Sequence, residues 1–151
     1  MEPTVRSGEF VALDEFAYDD SGPDHGDIVS FAPPAGDEDF VCQEPQAEDA
    51  PCGAPAGYGS GASYIKRVIA LDGDSIAIGA DGRAILNGEP QDEDYVIPCT
   101  PADECALPEP ITVPSGHVFV MGDNRPYSGD SRHFGPVDVE AIEGRVTPPD
   151  R

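Results

Sequence analysis

Glycine and proline set the limits of this fold. Seventeen of each interrupt the 151 residues, and no long apolar stripe with the 3.6-residue period of a helix runs between them. Such a chain builds short strands joined by turns. The strand candidates are Glu9–Asp14, Asp27–Phe31, Ser63–Leu71, Ser75–Ile78, Arg83–Leu86, Gly116–Met121 and Ala141–Val146. Ser75–Ile78 and Arg83–Leu86 flank an Ala80-Asp81-Gly82 turn and read as a hairpin, and Asn87-Gly88 starts another turn. Residues 33–62, rich in Pro, Gly, Ala, Glu and Asp, read as a loop insertion, and residues 90–110 as a second irregular one. The expectation is one domain over residues 1–151, mostly β, built from antiparallel coiled sheets with loop insertions and long enough for a core.

Charge narrows the function classes. Thirty acids against 8 lysines and arginines give a formal net charge of −22. That excludes nucleic acid, which needs a basic footprint, and opposes adhesion to anionic lipid. The acids lie in turns such as Asp19-Asp20, Asp37-Glu38-Asp39 and Asp92-Glu93-Asp94, and read as a solubilising surface. Adaptation to high salt and deliberate charge engineering would both give this composition. No apolar run approaches the roughly 18 residues that cross a bilayer, and no signal peptide is recognisable.

The four cysteines form two close pairs, Cys42 with Cys52 and Cys99 with Cys105. Neither has C-x-x-C spacing, and His25, His117 and His133 lie far from them in sequence, so no metal or cofactor is expected. Disulfides Cys42–Cys52 and Cys99–Cys105 are the simplest pairing. Each would contribute about 2–3 kcal/mol and would place the chain in an oxidising, extracytoplasmic compartment.

Two segments carry chemistry. Residues Met121 to Gly135 follow a strand-like run and alternate Asp123 and Asp130 with Arg125 and Arg132. Such a tract is either a solvated loop with ion pairs of almost no energetic value or a frame of charge-assisted hydrogen bonds that holds a small group still. The second segment, Ser63-Tyr64-Ile65-Lys66-Arg67-Val68-Ile69-Ala70-Leu71, embeds Lys66 in an apolar run. Such a lysine either snorkels from an edge strand or, once desolvated, loses its proton and serves as a general base toward a serine hydroxyl. The acidic field of the chain favours the charged amine, so burial must outweigh it.

Together these segments resemble the type I signal peptidases, Ser-Lys peptidases that cut leader peptides from exported proteins. Tyr64–Asp74 is similar to the family's lysine box, and Gly122–Arg132 to its Gly-Asp-Asn-Arg box. His25–Phe31 is similar to the Gly-Asp-Ile-Val box, and Asn87-Gly88-Glu89 fits the Asn-Gly turn. The boxes stand in family order and cover most of the chain. The resemblance implies Lys66 as general base and Ser128 as the hydroxyl that orients its amine. It implies Asp130 and Arg132 as a supporting ion pair, with Asp123, Asn124 and Arg125 shaping the same loop. An extended leader peptide would add as a strand beside Ser63, Tyr64 and Ile65. Met1, Val5, Tyr64 and Ile65 would line small pockets for Ala-x-Ala-type sites. The implied partners are leader peptides of exported preproteins, and a membrane reached through an upstream anchor that this sequence does not contain.

Two departures qualify the resemblance. In the family the nucleophilic serine precedes a Met-x-Pro-Thr sequence, and here Met1-Glu2-Pro3-Thr4 opens the chain. The nucleophile position falls just before residue 1, and Ser7 does not match it. The expectation is a soluble fragment that has a base without a nucleophile, and no measurable peptidase activity. Asp72 stands where the family usually has proline, which puts the rigidity of that turn in doubt. The competing class is a non-catalytic peptide-binding or structural β module on the same scaffold. A serine encoded upstream after an apolar helix would select the peptidase, and a true start codon the module.

Overall fold

The structure, a computed structural model, describes residues 1–32 and 63–149. Its strands are β1 (Ala12–Asp14), β2 (Ile28–Phe31), β3 (Tyr64–Ala70), β4 (Ser75–Ile78), β5 (Ala84–Leu86), β6 (Glu89–Pro90), β7 (Leu107–Thr112), β8 (His117–Met121), β9 (Val137–Asp138) and β10 (Ile142–Thr147). A single turn of α-helix, α1, spans Ser131–Phe134. Six strands form one sheet in the order β1-β10-β2-β3-β8-β9, and four form another in the order β6-β5-β4-β7. Every strand pairing within the two sheets is antiparallel. Among the described residues, no helix is long and apolar enough to cross a membrane.

The two sheets share a wall. Along β8 the side chains alternate between two cores. Val118 and Val120 join Val29, Phe31, Val68, Phe134 and Val137 in the first. Phe119 and Met121 join Ile69, Ala70, Ile76, Ile78, Ala84 and Val113 in the second. The β3–β8 pair is thus buried on both faces, which fixes the strand that carries Lys66. A register shift between Val68 and Ala70 lets β3 give Val68 to one core and the consecutive Ile69 and Ala70 to the other.

All seven predicted strands are present, trimmed or shifted by a few residues at their ends. The Asn-Gly turn is a two-residue hairpin loop between Leu86 and Glu89, with Asn87 and Gly88 both at positive φ, as a primed turn demands. Three strands were missed: the two-residue β6 and β9, and the longer β7. Residues 90–110 are not wholly irregular, because β7 begins at Leu107 and reads Leu-Pro-Glu-Pro-Ile-Thr. Its prolines argue against a strand in sequence, but β7 sits at the edge of its sheet, where an absent N–H can face away from the ladder. The insertion also contains the Cys99–Cys105 disulfide, with Cα atoms 6.3 Å apart. The Cys42–Cys52 pairing and the loop assigned to 33–62 lie outside the described residues.

The turn with Asp72 is not left loose. The Asp72 carboxylate accepts hydrogen bonds from Ser115 Oγ at 2.8 Å and from the Gly116 N–H at 3.0 Å, tying the β3–β4 turn to the approach of β8. Those donors hold its carboxyl below the usual range.

Candidate active site

β3 runs further than β8. The β8 ladder ends at Arg67↔Met121, whereas β2 continues along β3 to Phe31↔Tyr64. Tyr64, Ile65 and Lys66 are therefore paired by β2 alone among the named strands. Beyond Met121 the chain turns away at Gly122, and its departure opens a cleft of about 550 Å³. Lys66 lines this cleft with Ser63, Tyr64, Ile65, Met1 and Val5, and with Asn124, Tyr127 and Gly129 from the loop after β8.

Lys66 is half-buried there. Its Nζ donates to Ser128 Oγ at 3.1 Å and lies 5.8 Å from the centre of the Tyr64 ring. Burial pushes the amine below the ordinary lysine value. Asp130 and Asp123 oppose that and Arg132 reinforces it, but desolvation is the largest influence. Gly122 is required by the same contact. A Cβ at that position would lie 2.8 Å from Ser128 Cβ and 3.5 Å from Lys66 Nζ, and closer still to Ser128 Oγ.

Three arginine–carboxylate pairs hold the loop, each through two guanidinium nitrogens. Arg132 Nε and Nη2 donate to the two Asp130 oxygens at 2.8 and 2.9 Å. Asp130 is also the N-cap of α1 and accepts from the Arg132 and Gly122 N–H groups. Arg67 Nε and Nη2 donate to Asp123 at 2.9 and 2.7 Å. Arg125 Nη1 and Nη2 donate to Glu93 at 2.9 and 2.7 Å. No carboxylate in these pairs is more than 4% exposed. Burial alone would raise the carboxyls of Asp130 and Glu93; the guanidinium beside each holds both below their ordinary values. Removing one partner of such a pair costs about 3–5 kcal/mol, because the other charge stays buried. Asn124 Oδ1 is buried without a hydrogen-bond partner among the described residues.

A sequence profile described as "Signal peptidase, peptidase S26" matches residues 1–149. The chain belongs to this signal peptidase family. It is 36% identical over 146 residues to thylakoidal processing peptidase 1 of Arabidopsis thaliana, covering 96% of this chain and 37% of that one. It is 34% identical over 146 residues to a probable signal peptidase I-1 of Synechocystis, covering 97% and 64%. The chain thus spans less than two thirds of the length of either relative. A crystal structure of a signal peptidase I from Enterococcus faecalis V583 superposes with a TM-score of 0.53 at 28% identity, covering 83% of this chain and 97% of that one.

In this signal peptidase chain, the residues singled out from sequence divide into two groups. Met1, Val5, Ser63, Tyr64, Ile65 and Lys66 meet in the cleft, with Asn124 across from them. Asp123, Arg125, Asp130 and Arg132 lie behind it, buried. Of the tract's two acids and two arginines, only Asp130 and Arg132 pair with each other. Asp123 instead reaches Arg67 on β3, and Arg125 reaches Glu93. Sequence reading missed Arg67, Glu93, Tyr95 and Thr4. Glu93 was counted among solubilising acids, yet it is 3% exposed while Asp92 and Asp94 on either side are exposed. Thr4 Oγ1 donates to Asp123 Oδ2, which anchors the Met1-Glu2-Pro3-Thr4 segment to the same frame.

Proposed function

We propose that this chain is the extracytoplasmic catalytic domain of a signal peptidase I, a serine endopeptidase that removes N-terminal leader peptides from exported preproteins. The observation that carries the reading is a lysine amine held by one hydroxyl, Ser128 Oγ, at the floor of a cleft beside an unfilled strand edge. Lys66 serves as general base and Ser128 aims its lone pair. Burial favours the neutral amine, the form a base needs. The leader peptide lies extended along Ser63, Tyr64 and Ile65 on the side that β8 leaves, adding a strand to the six-stranded sheet. Its Ala-x-Ala-type side chains enter the pockets formed with Met1 and Val5. An anchor upstream holds the domain at the membrane.

The nucleophile of this reading is a serine directly before Met1, a reading supported by the likeness of Met1-Glu2-Pro3-Thr4 to the family's motif. A polypeptide without that serine loses catalysis by many orders of magnitude. The 151-residue polypeptide is therefore expected to show no turnover of a fluorogenic leader peptide. The full-length gene product is expected to cleave it, and Lys66→Ala in that product to abolish cleavage. Lys66-dependent turnover by residues 1–151 alone would overturn the assignment of the nucleophile. Full activity of the full-length Lys66→Ala variant would overturn the base.

A further inference from the structure

Glu93 lies in none of the four boxes read from the sequence, yet it is a buried carboxylate that accepts four hydrogen bonds. It receives Arg125 through two guanidinium nitrogens, the Ala84 N–H at 2.8 Å and the Tyr95 hydroxyl at 2.8 Å. Those contacts join three pieces of the molecule. Ala84 opens β5 of the four-stranded sheet. Arg125 belongs to the loop under the cleft and also donates to Gly82 O and, at 3.1 Å, to Gly122 O. Tyr95 lays its ring 4.1 Å from the Arg67 guanidinium, and Arg67 is the neighbour of Lys66 on β3. Arg67 in turn grips Asp123.

We propose that Glu93 and Tyr95 are positioning residues for the Lys66 amine, acting through the two guanidiniums that flank its pocket. One path runs from Glu93 through Arg125 to Gly122, the residue against which Ser128 Oγ and Lys66 Nζ are packed. The Arg125 carbonyl also accepts from Arg132 at 2.8 Å, which ties the Asp130 pair into the same path. The other path runs from Glu93 through Tyr95 and Arg67 to Asp123, the next residue after Gly122. Both paths end on adjacent residues, Gly122 and Asp123, the first of which is packed against Ser128 and Lys66. A four-stranded sheet that contributes no residue to the cleft lining thereby fixes the geometry of the cleft floor. Burial and the Glu93 carboxylate push the Tyr95 phenol upward, so it remains a hydrogen-bond donor through the ordinary pH range.

The test reads Lys66 itself. As the sole lysine of the sequence, it gives a single side-chain signal when residues 1–151 are prepared with 13Cε-lysine. Glu93→Gln keeps the shape and removes the charge. Tyr95→Phe keeps the ring over Arg67 and removes one hydrogen bond, and it carries the test if Glu93→Gln does not fold. Val113→Ala, in the second core and making none of the network's hydrogen bonds itself, serves as the control for lost stability alone. The expected result is that both network variants move the Lys66 titration upward, toward that of a solvated lysine, while the control does not. An unmoved titration in a folded Glu93→Gln variant, or in Tyr95→Phe alone where Glu93→Gln does not fold, would overturn the proposal, as would an equal shift in Val113→Ala.

The inference rests on Lys66 as the base, and a second arm separates the two claims. In the full-length gene product, Glu93→Gln is expected to lower kcat by roughly tenfold to a hundredfold with KM little changed, the loss that a displacement of about 1 Å brings. A shifted titration with unchanged cleavage would leave the positioning standing and remove the base.

Discussion

Lys66 carries an argument that neither its strand nor its neighbours make alone. A chain with 30 acids retains one lysine, and that lysine sits half-buried against a serine hydroxyl rather than on the surface. Its burial has a measurable consequence. The folded protein holds the amine below the ordinary 10.5 of an unfolded lysine. Below both values each state is protonated, and the folded state bears the full cost of the buried charge. As pH rises through the folded value toward 10.5 that cost is relieved, because the unfolded state binds the proton more tightly there. Lys66→Met is thus expected to raise the melting temperature at neutral pH, and the gain is expected to shrink as pH approaches that of a free lysine. A pH-independent difference between the two proteins would contradict the shift. Lys66 was legible in sequence because an amine in an apolar run is conspicuous, whereas Ser128 was marked only by the resemblance to the family's Gly-Asp-Asn-Arg box. Glu93 was not, since its neighbours Asp92 and Asp94 are exposed acids of the same kind. A faint signal lay in Tyr95-Val96-Ile97 just after it, an apolar run out of place in a solvated loop.

Among the elements, β3 has two unlike edges beside Lys66. One edge is paired with β2 over four residues, and the other loses β8 after Arg67. A leader peptide bound beside Tyr64, Ile65 and Lys66 is expected to slow hydrogen exchange of amides there while leaving β10 unchanged. Exchange at Ser63–Lys66 that ignores a bound, uncleavable leader analogue would place the substrate elsewhere. The strands themselves were readable from β-branched runs and turn residues, down to the Asn87-Gly88 hairpin loop. β7 was hidden because sequence cannot say that a proline-bearing strand will stand at an edge. The ion-pair partners were hidden for a related reason: Arg67 and Asp123, or Glu93 and Arg125, meet only after two sheets have packed.

At the scale of the whole molecule, the acidic charge and the buried pairs respond to salt in different ways. A net charge of −22 on 151 residues opposes compactness by self-repulsion. The screening length falls from about 30 Å at 0.01 M salt to about 3 Å at 1 M. The three buried arginine pairs, shielded from solvent, lose little. The melting temperature is therefore expected to climb as sodium chloride rises over that range. A flat or falling curve would mean that surface ion pairs, not repulsion, dominate.

The position of β10 has a bearing on timing. It follows every other described strand in sequence, yet it lies between β1 and β2. During synthesis β1 can find no neighbour until residues 142–147 have emerged, and β2 can find only β3. Closing that gap joins Ala12 to Thr147 across nearly the whole described chain, the kind of non-local pairing that makes folding slow. The larger sheet is therefore completed late, in a step that must wait for β10 to become available.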